Sequence, residues 1–119
     1  MIYKWWAMRE YQQALGYDIN KMDLNERNEY ARQCSLALFM EVSELTDSFQ
    51  WKPWRPIGTP DKENLKREVI DCLFFLHHIA ECFGIDGADL TEKFEEVMQN
   101  NYIRLKNGYN IKPKTNEDE

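Results

Sequence analysis

An all-α fold, an antiparallel four-helix bundle, is predicted by three features of this chain. Four stretches carry apolar residues at helical spacing, short connections with glycine, proline or turn-forming residues separate them, and no run alternates apolar with polar residues as a strand would. The length of 119 residues is that of one domain with a single core.

The elements follow in order. Ile2, Trp5, Trp6, Met8 and Leu15 stand among polar residues as one side of a short amphipathic helix, and Gly16 ends it. Asp18 and Asn20 give the next segment turn chemistry. Asp23 with Glu26 three residues on forms a capping-box pattern that opens a long helix running to residue 49 or 50. Its apolar line is Leu38, Val42, Leu45 and Phe49. The stretch from Trp51 to Gly58 holds Pro53, Pro56 and Gly58 and is read as a loop carrying two indoles and two cations. Thr59-Pro60 is read as an N-cap with proline in the first helical position. That helix follows Leu65, Val69, Cys72, Leu76, Ile79 and Phe83 to Gly84. The last helix, about residues 88 to 107, carries Leu90, Phe94, Val97, Met98 and Leu105 and stops at Gly108, before a polar tail over 111–119.

Composition excludes several classes. A net charge of −6 without an extended basic run argues against duplex nucleic acid as a partner. Cys34, Cys72 and Cys82 are odd in number and show no C-x-x-C spacing, so reduced, buried thiols are expected rather than a disulfide framework or a zinc knuckle. Lys4 and Arg9 interrupt the N-terminal apolar stretch, and no run reaches the roughly 18 apolar residues of a membrane span. A cytoplasmic protein that binds no membrane is the expectation.

Two acidic clusters stand out, Glu41-Val42-Ser43-Glu44 and Glu68-Val69-Ile70-Asp71. Residues three apart on a helix lie about 60° apart and one turn along, so each pair shares a face. Glu41 lies about 40° from Leu45 and 60° from Leu38, with Glu44 on the other side, and Glu68 stands to Cys72, Leu65 and Asp71 in the same sense. Two helices packed antiparallel along those stripes bring four carboxylates into one cleft. Uncompensated ionised carboxylates are costly in a core. Oxygen donors without His or Cys select Mg²⁺ or Mn²⁺. The bland alternative is a solvated face on which such acids pair with Lys or Arg, as Glu63 could with Arg67. A di-iron bundle needs Glu-x-x-His on two helices, and phenylalanines precede His77 and His78 by three. His77 points about 180° from Glu68, and His78 lies about two turns beyond Asp71. Neither is given a catalytic role; a surface or interface position is expected for both.

These residues resemble the all-α nucleoside triphosphate pyrophosphatases, the group of the dimeric dUTPases and MazG-like enzymes. The signature E-x-x-E followed on the next helix by E-x-x-D stands here as EVSEL and REVID. Further stretches resemble the dimeric dUTPase branch: ELTDSFQWKPWR, EVIDCLFFLHHIAECFGI and, near the C-terminus, NNYIRLKNGY. The resemblance covers about Met8 to Tyr109 and implies one catalytic domain over 1–110. It implies hydrolysis of a (deoxy)nucleoside triphosphate between the α and β phosphates, giving monophosphate and pyrophosphate with Mg²⁺. Metal ligation by Glu41, Glu44, Glu68 and Asp71 follows, with Glu44, and beside it Glu41, as the carboxylates that orient or deprotonate the attacking water.

By the same resemblance Asn101, Arg104, Lys106 and Tyr109 contact phosphate and sugar, where a solvated last helical turn is the alternative. Trp51 and Lys52 match the loop beside the base, since an indole can stack on a nucleobase. Gln12 or Gln13 could read a base edge, although an exposed helix glutamine is the plainer account. The chain departs from the longer dimeric dUTPases in its short length and in Phe74, where a histidine is expected. It is closer in form to compact MazG-like and phage-encoded members, among which base preference varies. dUTP is the expected substrate. A different base preference (dCTP, dGTP or broad) and a non-catalytic helical interaction module are the alternatives. The many aromatics, Trp5, Trp6 and Phe74-Phe75 among them, exceed what one small core holds, and a homodimer or homotetramer is expected.

Overall fold

The computed structural model describes residues 4–108; Tyr109 and the 111–119 tail lie outside the described residues. The described chain is all helical: α1 (Trp5–Ala14), a single 3-10 turn (Ile19–Lys21), α2 (Leu24–Asp47), α3 (Lys62–Cys82) and α4 (Gly87–Lys106). It divides into two compact units, Met1–Asp86 with α1 to α3 and Gly87–Glu119 with α4.

Local chemistry sets the helix ends. The expected capping box is present: the Glu26 amide donates to Asp23 Oδ1 at 2.8 Å and the Asp23 amide to Glu26 Oε1 at 3.2 Å. Gly16 (φ 98°) and Gly84 (φ 73°) close α1 and α3 in left-handed conformations. In each case the amide after the glycine donates back five residues, Tyr17 to the Gln12 carbonyl and Ile85 to the Ala80 carbonyl, a Schellman arrangement. The start of α3 differs from the expectation of Thr59 and Pro60. Asp61 is the cap, its Oδ1 accepting from the Glu63 and Asn64 amides, and the helix begins at Lys62. An aspartate that can bind two orphan amides takes the cap from a threonine two residues earlier. Helix α2 likewise ends two residues early, at Asp47, where Ser48 caps it.

In the first unit α2 and α3 pack antiparallel. Ser48, just past the end of α2, receives a hydrogen bond from Asn64 at the start of α3 (3.0 Å), whereas Ala31, early in α2, clusters with Cys82 at the end of α3. The seam on α2 runs through Ala31, Cys34, Leu38, Glu41, Leu45 and Ser48, all buried or half-buried, at alternating steps of three and four. This corrects the expected apolar line, because Val42 and Phe49 are exposed. Val69 and Leu76 on α3, and Phe83 just past its end, are exposed in the same way, while Leu65, Cys72 and Ile79 face inward. The seam passes through carboxylates rather than beside them.

Helix α1 lies against the far end of α3. Arg9 Nε reaches Glu81 Oε2 at 3.5 Å, and Gln12 Nε2 donates to the Tyr30 hydroxyl of α2 at 3.0 Å. Ile19 fills the space beside Ala31 and Cys82, with Met22 and Tyr30 packed around them. All three cysteines are free and buried, as expected. No helix of the described residues is long and apolar enough to cross a membrane.

Candidate active site

The seam explains how carboxylates come to be turned inward. Glu41 occupies a seam position of α2, and Glu68 the facing level of α3; both are half-buried. One oxygen from each of Glu41, Glu44 and Glu68 lies within 4.8 Å of the others. Asp71, also half-buried, adds its charge to the same environment. Glu41 Oε2 and Glu68 Oε2 are buried without a hydrogen-bond partner. Burial, then the charges of Glu44 and Asp71, raise the Glu41 pKa above the usual carboxylate value.

The ion pairs Arg9–Glu81, Arg32–Glu29, Lys66–Glu63 and Lys93–Glu96 engage none of the four acids. Glu63 pairs with Lys66 rather than Arg67. Two orphaned inward oxygens in an all-carboxylate set are what a hard divalent cation satisfies. The residues present therefore fit Mg²⁺.

Next to this cluster a cavity of about 600 Å³ opens between the helices, within the range of about 300–1,000 Å³ usual for small-molecule sites. Glu41 and Asp71 line one end of it. Away from them the lining is aromatic: Tyr11, Tyr17 and Tyr30 on one set of elements, Phe74, Phe75 and His78 on α3. Cys34 and Ala37 on α2 also line it, and their small side chains leave that space unfilled.

Residues 4–81 match the model of a family described as dUTPase. The chain belongs to the dUTPase family. Neither the curated proteins nor the solved structures give a match. At the level of class, membership makes this a dUTPase-like nucleotide pyrophosphatase. The part of the chain that matches the dUTPase family holds all four carboxylates and the whole cavity lining; residues 101 to 109 lie beyond it.

The remaining predicted positions are distributed as follows. Gln12 is buried and bonded through Nε2 to Tyr30, its Oε1 left without a partner; Gln13 is exposed. Neither lines the cavity. Trp51 is exposed, donates through Nε1 to Asp47 Oδ1 at 3.0 Å and meets Trp54 edge-on at 6.0 Å. Lys52 Nζ stands 5.6 Å from the centre of the Trp51 ring, a cation–π contact. This loop does not contribute to the cavity lining either. Asn101, Arg104 and Lys106 sit on α4 in the second unit, and Tyr109 is outside the described residues.

The histidines depart from the expected surface or interface position and are buried within the chain: His77 is 4% and His78 7% exposed. Burial lowers both pKa values, His78 to about 4 with a smaller contribution from His77. The sequence signal was present in the helical period. His78 follows Asp71 by two full turns, and Cys34 precedes Glu41 by the same interval, so on antiparallel helices both extend the acidic face in one direction. The Phe74-Phe75 pair, expected at an oligomer contact, instead lines this cavity.

Proposed function

We propose that this member of the dUTPase family is a Mg²⁺-dependent (deoxy)nucleoside triphosphate pyrophosphohydrolase whose substrate is dUTP. The observation that carries the reading is the convergence of Glu41, Glu44 and Glu68 within 4.8 Å, two of their oxygens orphaned, at the mouth of an aromatic-lined cavity. Glu41, Glu44, Glu68 and Asp71 would hold the ion. Bound there, Mg²⁺ supplies charge neutralisation for the phosphates and a water of lowered pKa. Glu44 is the most open of the three clustered carboxylates. Its exposure suits it to orient an incoming water and to accept its proton, with Glu41 behind it. The cavity offers the nucleoside an aromatic-lined surface, and a nucleoside seated there would hold the α phosphorus at the acidic end. Asn101, Arg104, Lys106 and Tyr109 would contact phosphate and sugar, and Trp51 and Lys52 the base, as the resemblance implies.

Leu36, Phe39 and Met40 form an outward apolar stripe on α2 at 58%, 72% and 67% exposure. That stripe supports a homodimer or homotetramer, which light scattering after gel filtration would size. The activity is tested with a panel of nucleotides and Mg²⁺, assayed separately for pyrophosphate and orthophosphate. The expected result is pyrophosphate and monophosphate from dUTP and little orthophosphate. A preference for dCTP or dGTP would replace the substrate but keep the chemistry, and no monophosphate from any nucleotide would reject the proposal.

A further inference from the structure

The cavity holds one buried polar side chain that metal binding and proton transfer leave unused. His78 lines it, is more than nine-tenths buried, and both Nδ1 and Nε2 lack a hydrogen-bond partner. Its ring is packed by Phe74 at 6.3 Å and by Phe75 nearly edge-on at 5.9 Å. Other polar groups of the lining are engaged: the Tyr30 hydroxyl with Gln12, and the Gln33 amide with Glu29 Oε1 at 3.4 Å. A buried imidazole with both nitrogens unsatisfied carries a desolvation penalty that a ligand would relieve.

Its position identifies the ligand group. His78 lies seven residues from Asp71, about 10 Å along α3, and Asp71 belongs to the acidic end of the cavity. The base of a nucleotide stands one sugar ring away from its α phosphate. We propose that His78 is a specificity-determining residue that hydrogen-bonds the polar edge of the nucleobase held in this cavity; this rests on the nucleotide pyrophosphatase reading of the site. Burial keeps the imidazole neutral at physiological pH, so it offers one donor and one acceptor, and its tautomer follows the base edge presented. The Phe74 and Phe75 rings and the Tyr17–Tyr30 stack (4.9 Å, 15°) supply apolar faces against which a heterocycle can lie.

The test uses the full chain with Mg²⁺. Wild-type turnover of dUTP, dTTP, dCTP, dATP and dGTP comes first; if none is hydrolysed, the pyrophosphatase reading falls and this inference with it. On the best substrate, His78→Phe should raise KM about tenfold or more, the worth of one hydrogen bond lost with its buried partner left unpaired, while kcat stays within about threefold. An unchanged KM in an active variant overturns the role of His78 alone. Independently of that variant, nitrogen-15 NMR of the wild-type imidazole is recorded with the α,β-imido analogue of the best substrate and with inorganic tripolyphosphate. The His78 nitrogens should shift with the nucleotide and not with tripolyphosphate. Equal shifts, or none, overturn the proposal.

Discussion

Replacing Glu68 by Gln should change stability in opposite directions with and without metal. Glu41 and Glu68 place oxygens within 4.8 Å of each other without a countercharge. Coulomb repulsion at that separation is about 1 kcal/mol with the dielectric of water and about 3 kcal/mol at an effective value near 20. Both groups are half-buried at the rim of the cleft, where solvent screens the pair, and the lower figure is taken as the minimum. In EDTA, Glu68→Gln should therefore be more stable than wild type by about 1 kcal/mol, which for a chain of this size raises Tm by about 3–5 °C. With Mg²⁺ at a hundred times its Kd the wild type should gain about 2.7 kcal/mol, and the variant, short of one ligand, much less. Thermal unfolding by circular dichroism in EDTA and in Mg²⁺ measures all four states. Equal gains from Mg²⁺ in both proteins, or a variant less stable than wild type in EDTA, would refute the metal assignment and the repulsion argument respectively.

Other consequences follow from single residues. His78 has a folded-state pKa of about 4 against 6.5 unfolded. Its contribution is complete above pH 6.5 and is lost as pH falls from there towards 4, up to about 3 kcal/mol; comparing the Tm of wild type and His78→Phe across that window measures it. Glu41 acts with the opposite sign in metal-free protein, because a raised carboxylate pKa relieves destabilisation as pH falls, and Glu41→Gln should remove that component from the same titration. Arg9→Met leaves Glu81, 3% exposed, without its cation. A loss of about 1–3 kcal/mol in urea unfolding is expected given Arg9's partial exposure, largely restored by adding Glu81→Gln. Gly84→Ala forces a side chain into φ 73° with open space around it, so backbone strain alone should cost about 1–2 kcal/mol in the same assay.

Helix existence was legible because apolar period, glycine stops and the Asp23–Glu26 box all act locally. The ends of α2 and the start of α3 were less so, since Asp61, Thr59 and Ser48 are all competent caps and only the packed chain decides among them. The seam was misplaced by its own chemistry. A reading that follows hydrophobic residues selects Val42 and Val69, whereas the inward line runs through Glu41 and Glu68, which no hydrophobic scale places inside. Spacing alone did place Glu41, Glu44 and Glu68 together. What it did not show was the cavity, whose opening depends on the small Cys34 and Ala37 facing the bulkier Phe74, Phe75 and His78 across an interhelical gap. Both histidines are buried although a surface or interface position was expected. Their burial follows from position, His78 being on the same face as Asp71.

In the proposed reaction this acidic site directs water to the α phosphorus of a nucleoside triphosphate. Hydrolysis of dUTP with Mg²⁺ in oxygen-18 water, with phosphorus-31 NMR of the products, tests it most directly. The heavy oxygen is expected in the nucleoside monophosphate, with the pyrophosphate unlabelled. Label in pyrophosphate or in released orthophosphate would contradict it.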